Sequence, residues 1–339
     1  MNKEHYIIEK AGAIDNLKLR QAELTEPKAN EVTIAIKAIG LNFADIFAIK
    51  GLYRAAPKHD FVPGLEYSGT IEKVGAGVTK FKKGDKVMGV TRFGAYTNYL
   101  NIEQEYIYPL PDSWSFEEGA AYLVQVLTAY YGLLKLGDLQ RDATVLIHSA
   151  AGGVGIWANR IAKKYNAYTI GTVGSSSKVD FCKQEGYDKV IVRNEKHFKK
   201  QLKDSLAGKD LNLVMDSIGG SIFKDSFVQL ASQGRVVVYG SARYTTYGSK
   251  VNMIKLLYQY LKRPKIDPQS MINYNKSIMG FNLIYLYEQA SLMQTLVEQL
   301  QHMQLPKPEV GHTFTFKSLH DAVYLFQSGK TKGKVVLQV

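Results

Sequence analysis

One segment near the middle of the chain limits the possible folds more than any other. The apolar run Thr144–Ile147 predicts a buried strand, residues 148–155 read HSAAGGVG, and apolar side chains then recur at helical spacing up to residue 165. Glycines let the backbone approach a pyrophosphate, and a helix N-terminus attracts its negative charge. The pattern therefore predicts dinucleotide binding by a set of five residues, with a tight packing turn as the alternative: Ala151, Gly152, Gly153, Val154 and Gly155.

The end of the next predicted strand indicates which nicotinamide dinucleotide would bind. NAD sites usually place an acidic residue about 20 positions beyond the glycines, where it binds a ribose hydroxyl. Here the strand runs into Gly174, Ser175 and Lys178 without an acidic residue, and Arg193 follows the third strand. Hydroxyl groups and positive charges suit a 2′-phosphate. The sequence therefore predicts NADPH, and the alternative is a solvated serine turn with a surface lysine.

The patterns on either side of this segment predict two kinds of domain. Up to about residue 110, short two-periodic runs separated by turn clusters are typical of a mostly antiparallel, barrel-like β domain. Beyond residue 140, apolar runs alternate with helical segments, which predicts a doubly wound parallel sheet and an α/β fold. Between them, Ser115 with Glu117 and Glu118 predicts the start of one helix that continues to Tyr131. The strand-like tail from residue 313 can rejoin the first domain.

Composition narrows the class of protein further. A chain of 339 residues suggests about two domains, and a net charge of +12 favours anionic partners. No nucleic-acid-binding module is recognisable, so we expect no nucleic-acid partner. The single cysteine, Cys182, excludes an intrachain disulfide and any multi-cysteine zinc site, in keeping with a reducing compartment. No apolar run approaches about 18 residues, so we expect a cytoplasmic protein.

Several motifs together carry a family resemblance. They lie at residues 42–45 (NFAD), 50–53 (KGLY), 63–69 (PGLEYSG), 127–130 (LTAY), 148–155 and 333–337 (GKVVL). The chain resembles the medium-chain dehydrogenase/reductase superfamily, and within it the zinc-independent quinone oxidoreductase (zeta-crystallin-like) branch, near the vesicle amine transport protein group. This resemblance implies a GroES-like β-barrel catalytic domain from residues 1–124 and 285–339. It also implies a Rossmann NADPH-binding domain at 125–284, a cofactor in the cleft between the domains, and a homodimer.

The same resemblance implies the site residues. Asn42, Asp45, Tyr53 and Thr128 would surround the nicotinamide or the substrate, with Tyr53 as the hydroxyl best placed to stabilise an oxyanion. Each has a structural alternative: Asn42 and Asp45 are spaced like an N-cap and its partner, Thr128 can bond to its own helix, and Tyr53 is one of 22 tyrosines. Further cofactor contacts are implied at six positions: Ser217, Gly240, Ser241, Phe281, Asn282 and Lys334.

The resemblance also predicts the absence of a metal. Zinc-dependent relatives have a cysteine near position 42 and a histidine at position 65, where this chain has Asn42 and Leu65. Without a strong Lewis acid, the feasible acceptors are quinones and α,β-unsaturated carbonyl compounds, because hydride addition to them gives a delocalised anion. We therefore expect an NADPH-dependent quinone oxidoreductase or enone reductase.

One segment favours a different function. Between residues 250 and 265, Met253, Ile254, Leu257, Tyr258 and Leu261 lie on one helical face with basic residues around it. Such a helix can contact an anionic membrane, or it can pack on its own domain or on a dimer partner. The alternative function is accordingly a peripheral membrane or trafficking protein that keeps the nucleotide site for regulation or as a relic.

Overall fold

The computed structural model describes residues 2–339, which contain two large sheets and a small antiparallel sheet of β1 and β2. The strands are β1 (Asn2–Ile8), β2 (Leu17–Glu23), β3 (Glu31–Gly40), β4 (Glu66–Val74), β5 (Lys86–Val90), β6 (Tyr99–Glu103), β7 (Ile107–Pro109), β8 (Thr144–Ile147), β9 (Tyr168–Val173), β10 (Lys189–Val192), β11 (Leu211–Asp216), β12 (Leu230–Val238), β13 (Ser277–Gly280), β14 (Val310–Thr315) and β15 (Lys334–Gln338). The helices are α1 (Phe43–Ile49), α2 (Phe116–Gly119), α3 (Leu123–Tyr130), α4 (Gly153–Lys164), α5 (Val179–Gln184), α6 (Phe198–Leu206), α7 (Gly220–Gln229), α8 (Met253–Leu261), α9 (Pro268–Tyr274), α10 (Ala290–Gln301) and α11 (Leu319–Gln327).

The central sheet is parallel and has the order β10-β9-β8-β11-β12-β13. Helices connect its strands, as the alternating apolar pattern predicts. The carboxyl ends of all six strands meet at one edge, where open α/β sheets bind ligands. The doubly wound sheet expected from the sequence is therefore confirmed.

The second sheet is built from both ends of the chain. Its path is β14-β15-β3-β4-β5-β7 with β6 added beside β3, and every pairing except β14–β15 is antiparallel. The C-terminal strand β15 pairs with β3 in the register Val336 to Gly40. The GroES-like β domain that rejoins the C-terminal tail is thus confirmed.

The single helix predicted from Ser115 to Tyr131 is wrong. The start is confirmed, since Ser115 and Glu118 form reciprocal capping hydrogen bonds, but α2 ends at Gly119. The helix restarts as α3 because the buried carboxylate of Glu66 accepts a hydrogen bond from the N–H of Val124 at 3.0 Å, which satisfies a donor of the new first turn. A π-helical segment, Tyr131–Leu136, follows α3. Periodicity could not show this break because its cause lies 58 residues earlier in the chain.

The predicted domain boundaries fall within closely packed structure. The first, at residues 124 and 125, lies inside α3, and the second, at 284 and 285, lies inside the 3₁₀ segment Leu283–Glu288. Side chains of both regions share one apolar core with the strands of either sheet. The division into 1–124 with 285–339 and 125–284 remains a proposal.

A short segment after the fifth parallel strand crosses to the barrel. In this strap, residues 245–250, the carbonyl oxygen of Thr246 accepts hydrogen bonds from Lys50 Nζ and Gln327 Nε2, both at 2.8 Å. Ser249 accepts from the backbone N–H of Ile14 at 3.2 Å, and Lys250 forms an isolated β-bridge with Ala13. The strap therefore fastens the parallel-sheet half of the molecule to the barrel half.

Candidate functional site

The glycine turn forms the centre of the candidate site. β8 ends at Ile147, Ser149 adopts φ = 56°, and Gly152 caps the N-terminus of α4. A Cβ on Gly155 would lie 2.5 Å from the carbonyl oxygen of Ser149, so only glycine lets the helix pack so closely on the turn. A Cβ on Gly152 would meet only that same oxygen, at 3.2 Å. The turn is thus tightly packed at Gly155 and uncrowded at Gly152.

The predicted phosphate-binding residues converge at the end of β9. Ser175 caps the short turn that contains Lys178, and the Arg193 guanidinium donates to Thr172 Oγ1 at 3.0 Å. A Cβ on Gly174 would lie 3.6 Å from Arg193 Nη2, so no side chain separates the turn from this cation. Burial and then the neighbouring Arg193 lower the pKa of Lys178. The smaller contribution, from Arg193, places a second positive charge close to Lys178.

The neighbouring strand ends contribute the other predicted cofactor residues. Ser217 Oγ lies 2.9 Å from Ser149 Oγ, which joins the end of β11 to the glycine turn. Gly240 lies against Ser217, where a Cβ would approach to 3.3 Å, and Ser241 begins the next 3₁₀ turn. After β13, the Phe281 ring contacts those of Tyr131 and Tyr239. These residues lie along one edge of the parallel sheet.

A buried polar network connects the barrel to this edge. The Lys334 ammonium donates to Glu66 Oε2 at 2.7 Å and to Asn42 Oδ1 at 3.0 Å. Gln125 Nε2 donates to the same Asn42 oxygen at 2.5 Å, and Gln125 packs against Gly153, where a Cβ would lie 2.6 Å from its Cγ. The network therefore reaches the first residue of α4.

Three members of the network, Lys334, Glu66 and Gln125, differ from the sequence-based expectation. The ammonium of Lys334, assigned to the cofactor, is held by Glu66 and Asn42, and only 4% of the residue is exposed. The neighbouring Gly333 reaches the glycine turn instead, donating its N–H to the carbonyl oxygen of Ala151. The sequence-based prediction did not include Glu66 or Gln125 among the site residues. Glu66 could have been found, because it lies in the motif at residues 63–69 that carries the family resemblance.

Asp45 is a buried carboxyl group beside this network. Its Oδ2 accepts hydrogen bonds from the N–H of Asn42 at 2.8 Å and from the hydroxyl of Tyr96 at 3.0 Å. Burial raises the pKa of Asp45 to about 7. Asn42 and Asp45 thus make the N-cap contacts expected from their spacing. Nothing in the local sequence indicated that Tyr96 would bind Asp45.

Tyr53 and Thr128 make different kinds of contact. The Tyr53 hydroxyl donates to Asn282 Oδ1 at 2.7 Å, and burial raises the pKa of this phenol to about 12. The Thr128 hydroxyl donates to the carbonyl oxygen of Val124 at 2.7 Å, which is the bond to its own helix that the structural alternative predicted. Tyr53 therefore meets the predicted cofactor residues, whereas the Thr128 hydroxyl is bound to its own helix.

Two other reactive side chains have structural roles. His148 lies within hydrogen-bonding distance of Thr172 and Ser226, and its burial lowers the pKa to about 3. Burial raises the pKa of the Cys182 thiol to about 11.

Within residues 2–339, no group of three or more His, Cys, Asp or Glu side chains is arranged to hold a metal ion. No helix in the same range is long and apolar enough to cross a bilayer.

Comparisons with known proteins agree with this architecture. Residues 28–112 match the alcohol dehydrogenase GroES-like domain, and residues 153–298 match the zinc-binding dehydrogenase family. The chain is 33% identical over 331 residues to the synaptic vesicle membrane protein VAT-1 homolog of Danio rerio, covering 96% of this chain and 68% of that one. It is 31% identical over 304 residues to a quinone oxidoreductase of Pseudomonas aeruginosa, covering 89% and 92%.

The solved structure of Escherichia coli quinone oxidoreductase complexed with NADPH superposes with a TM-score of 0.85 at 27% identity, covering 99% of this chain and all of that one. The two domains and the strand-end site define a nucleotide-binding protein of the medium-chain dehydrogenase/reductase family, to which this chain belongs. Its branch of that family is the one that contains the quinone oxidoreductases and the VAT-1 homologues.

Proposed function

We propose that this protein is an NADPH-dependent, zinc-independent oxidoreductase that transfers a hydride to quinones or α,β-unsaturated carbonyl compounds. The similarity to quinone oxidoreductases, one of them complexed with NADPH, supports the oxidoreductase activity and the cofactor. The single observation that carries the choice of NADPH is the pair of cations, Lys178 and Arg193, at the end of β9.

The residues present fit the cofactor. Gly152 leaves space at the N-terminus of α4 for a pyrophosphate, and the first N–H groups of this helix favour a negative charge. At the end of β9, Ser175, Lys178 and Arg193 would hold the 2′-phosphate, where a carboxylate would repel it. Lys178 donates to the Gly329 carbonyl at 2.6 Å, a hydrogen bond that it would share with or exchange for the 2′-phosphate.

The proposed reaction needs a hydrogen-bond donor at the acceptor oxygen. Bound NADPH would supply the hydride. The raised pKa of Tyr53 keeps its hydroxyl protonated at neutral pH, so it can donate to the developing oxyanion after leaving Asn282. The amide of Asn42 is less free, since its Nδ2 donates to the Gly40 carbonyl and its Oδ1 accepts from Gln125 and Lys334. Tyr53 is therefore the proposed catalytic donor, with Asn42, Asp45 and Thr128 around it.

Zinc independence rests on the residues that replace the usual ligands. Asn42 and Leu65 stand where the zinc-dependent members of the family have a cysteine and a histidine. Leu65 is buried with the apolar core, and the Asn42 oxygen is already bound to an ammonium. A weak donor such as a phenol suffices only for acceptors that delocalise the new charge, which favours quinones and enones over simple ketones.

The decisive experiment measures NADPH oxidation with a panel of quinones, enones and enals, with NADH in parallel. We expect turnover of at least one conjugated acceptor and a preference for NADPH. Tight NADPH binding without reduction of any acceptor would contradict the reductase and favour the binding-protein alternative.

Two further expectations accompany this proposal. A homodimer agrees with the position of β13, which lies at an edge of the parallel sheet and offers its backbone groups to a second copy. A cytoplasmic location agrees with the buried free thiol of Cys182. Light scattering of the purified protein tests the first, and fractionation of the source cells tests the second. The peripheral membrane alternative rests on a separate surface, around α8.

A further inference from the structure

The segment between the fifth and sixth parallel strands has an unusual surface. Within residues 2–339, thirteen large hydrophobic side chains are exposed, and nine of them lie between residues 247 and 274. On α8 they are Met253, Ile254, Leu257, Tyr258, Tyr260 and Leu261, with Ile254 85% exposed. Monomeric soluble proteins rarely leave so many apolar groups together in water, so this concentration indicates a surface with a partner.

The apolar face of α8 points away from its own domain. Met253, Ile254, Leu257 and Leu261 fall within about 100° of arc on a helical projection. The buried residue of the helix is Gln259, which lies on the opposite side. An ordinary surface helix has the reverse arrangement, with its apolar stripe facing the core. Packing of this face on its own domain, one of the alternatives from the sequence, is therefore excluded.

The charged residues of this segment all have one sign. Between residues 241 and 266 the chain has six basic residues and no acidic one. Of these, Lys250, Lys255, Lys262, Arg263 and Lys265 surround α8, and none forms an ion pair within residues 2–339. Lys262 and Arg263 lie over the rings of Tyr258 and Tyr260, at 4.9 and 3.9 Å from the centroids.

We propose that this α8 surface, made of the four apolar residues 253, 254, 257 and 261 and the five surrounding cations, docks on an anionic lipid bilayer. The apolar face would enter the interface between headgroups and acyl chains, as amphipathic helices do. Lys262, Arg263 and Lys265 would bind acidic headgroups. Tyr258 and Tyr260 would lie at the membrane–water interface, where tyrosine side chains are enriched. The proposal does not depend on the reductase activity.

Charge complementarity favours the bilayer over a second copy of the chain. A two-fold symmetric contact places the same patch on both subunits, so it would bring five cations toward five cations. Such like-charge contacts oppose association, whereas acidic phospholipids supply the missing negative charge.

Vesicle sedimentation tests the proposal with the full-length protein. We expect binding to vesicles of phosphatidylserine and phosphatidylcholine, little binding to pure phosphatidylcholine, and weakening as salt rises because both partners are charged. Leu257→Glu with Leu261→Glu should reduce the bound fraction at least tenfold, and so should Lys262→Glu with Arg263→Glu and Lys265→Glu. Leu257 and Leu261 are exposed, so thermal melting should show that the variants remain folded.

Matched variants elsewhere on the surface control for nonspecific effects. Val74→Glu adds a charge at an exposed apolar residue of the barrel, and the triple change of Lys199, Lys200 and Lys203 to Glu reverses three charges on and around α6. Both should bind vesicles like the wild type. Wild-type protein that remains in the supernatant at low salt would overturn the proposal, and so would equal losses in the control variants. A dimer that Leu257→Glu dissociates, without vesicle binding, would assign the surface to self-association.

Discussion

The hydroxyl of Tyr53 donates a 2.7 Å hydrogen bond to the side-chain oxygen of Asn282, and this bond joins the two halves of the molecule. Tyr53 follows α1 of the barrel, and Asn282 follows the last strand of the parallel sheet. The phenol thus already lies at the strand-end edge where the proposed cofactor would bind. Its release from Asn282 is the one change that the proposed chemistry requires of it.

Replacing Tyr53 by Phe removes this hydroxyl and keeps the ring. We expect hydride transfer to fall at least about tenfold, since the donor acts where charge develops in the transition state. NADPH affinity should change by less than about threefold, equivalent to under 1 kcal/mol. Single-turnover absorbance measures the first and fluorescence titration the second. Tyr130→Phe, which removes a hydroxyl bound to Gln299 of α10, should leave both unchanged. Wild-type rates in Tyr53→Phe would make Tyr53 a packing residue.

Replacing Lys178 by Glu should change the cofactor preference. The carboxylate would face the 2′-phosphate, so NADPH binding should weaken by about 1.5 to 3 kcal/mol while NADH binding changes less. Fluorescence titration of both cofactors measures the difference. Lys183→Glu, an exposed change on α5, makes the same change of charge and should leave the preference intact. Equal losses for NADPH and NADH would show that Lys178 does not contact the phosphate.

Metal removal should not affect the protein. Because Asn42 and Leu65 replace the usual ligands, we expect full turnover after exhaustive chelation and no stoichiometric zinc by elemental analysis. A parallel sample treated with chelator and then with added zinc controls for damage during the treatment. One tightly bound zinc per chain, needed for turnover, would contradict the prediction.

The buried carboxyl of Asp45 should make stability depend on pH. Folding raises its pKa from 3.8 to about 7, mainly through burial, so the folded protein binds a proton that the unfolded chain has released. The stabilisation from this proton is complete below about pH 4 and is lost as the pH rises through 7. Asp45→Asn is uncharged throughout, so its free energy of unfolding relative to the wild type should increase by about 2.5 kcal/mol between pH 5 and pH 8.

Urea unfolding at several pH values between 5 and 8 measures this difference. Asp112→Asn, a change at an exposed loop residue, should show a constant difference from the wild type over the same range. A constant difference for Asp45→Asn as well would mean that Asp45 is ionised in the folded protein throughout this range.

Local signals predicted the parts of the structure that depend on neighbouring residues. The strand, glycine turn and helix at residues 144–165 follow from apolar spacing and from glycine's lack of a side chain. The contacts between distant segments could not be predicted in this way. Glu66 accepts a hydrogen bond from the first turn of α3, 58 residues away, and from Lys334, 268 residues away. Such contacts depend on how the barrel closes, and the spacing of apolar residues within one segment carries no information about that.

The strap at residues 245–250 also affects how the molecule unfolds. Its Thr246 carbonyl holds the ammonium of Lys50, which is only 2% exposed. If the parallel-sheet half melted alone, this ammonium would lose its hydrogen-bond acceptor and the strap that covers it, which opposes partial unfolding. The shared apolar core between the sheets acts in the same direction. We therefore expect the two halves to melt in one cooperative transition, so that a destabilising change in either half lowers the melting temperature of both.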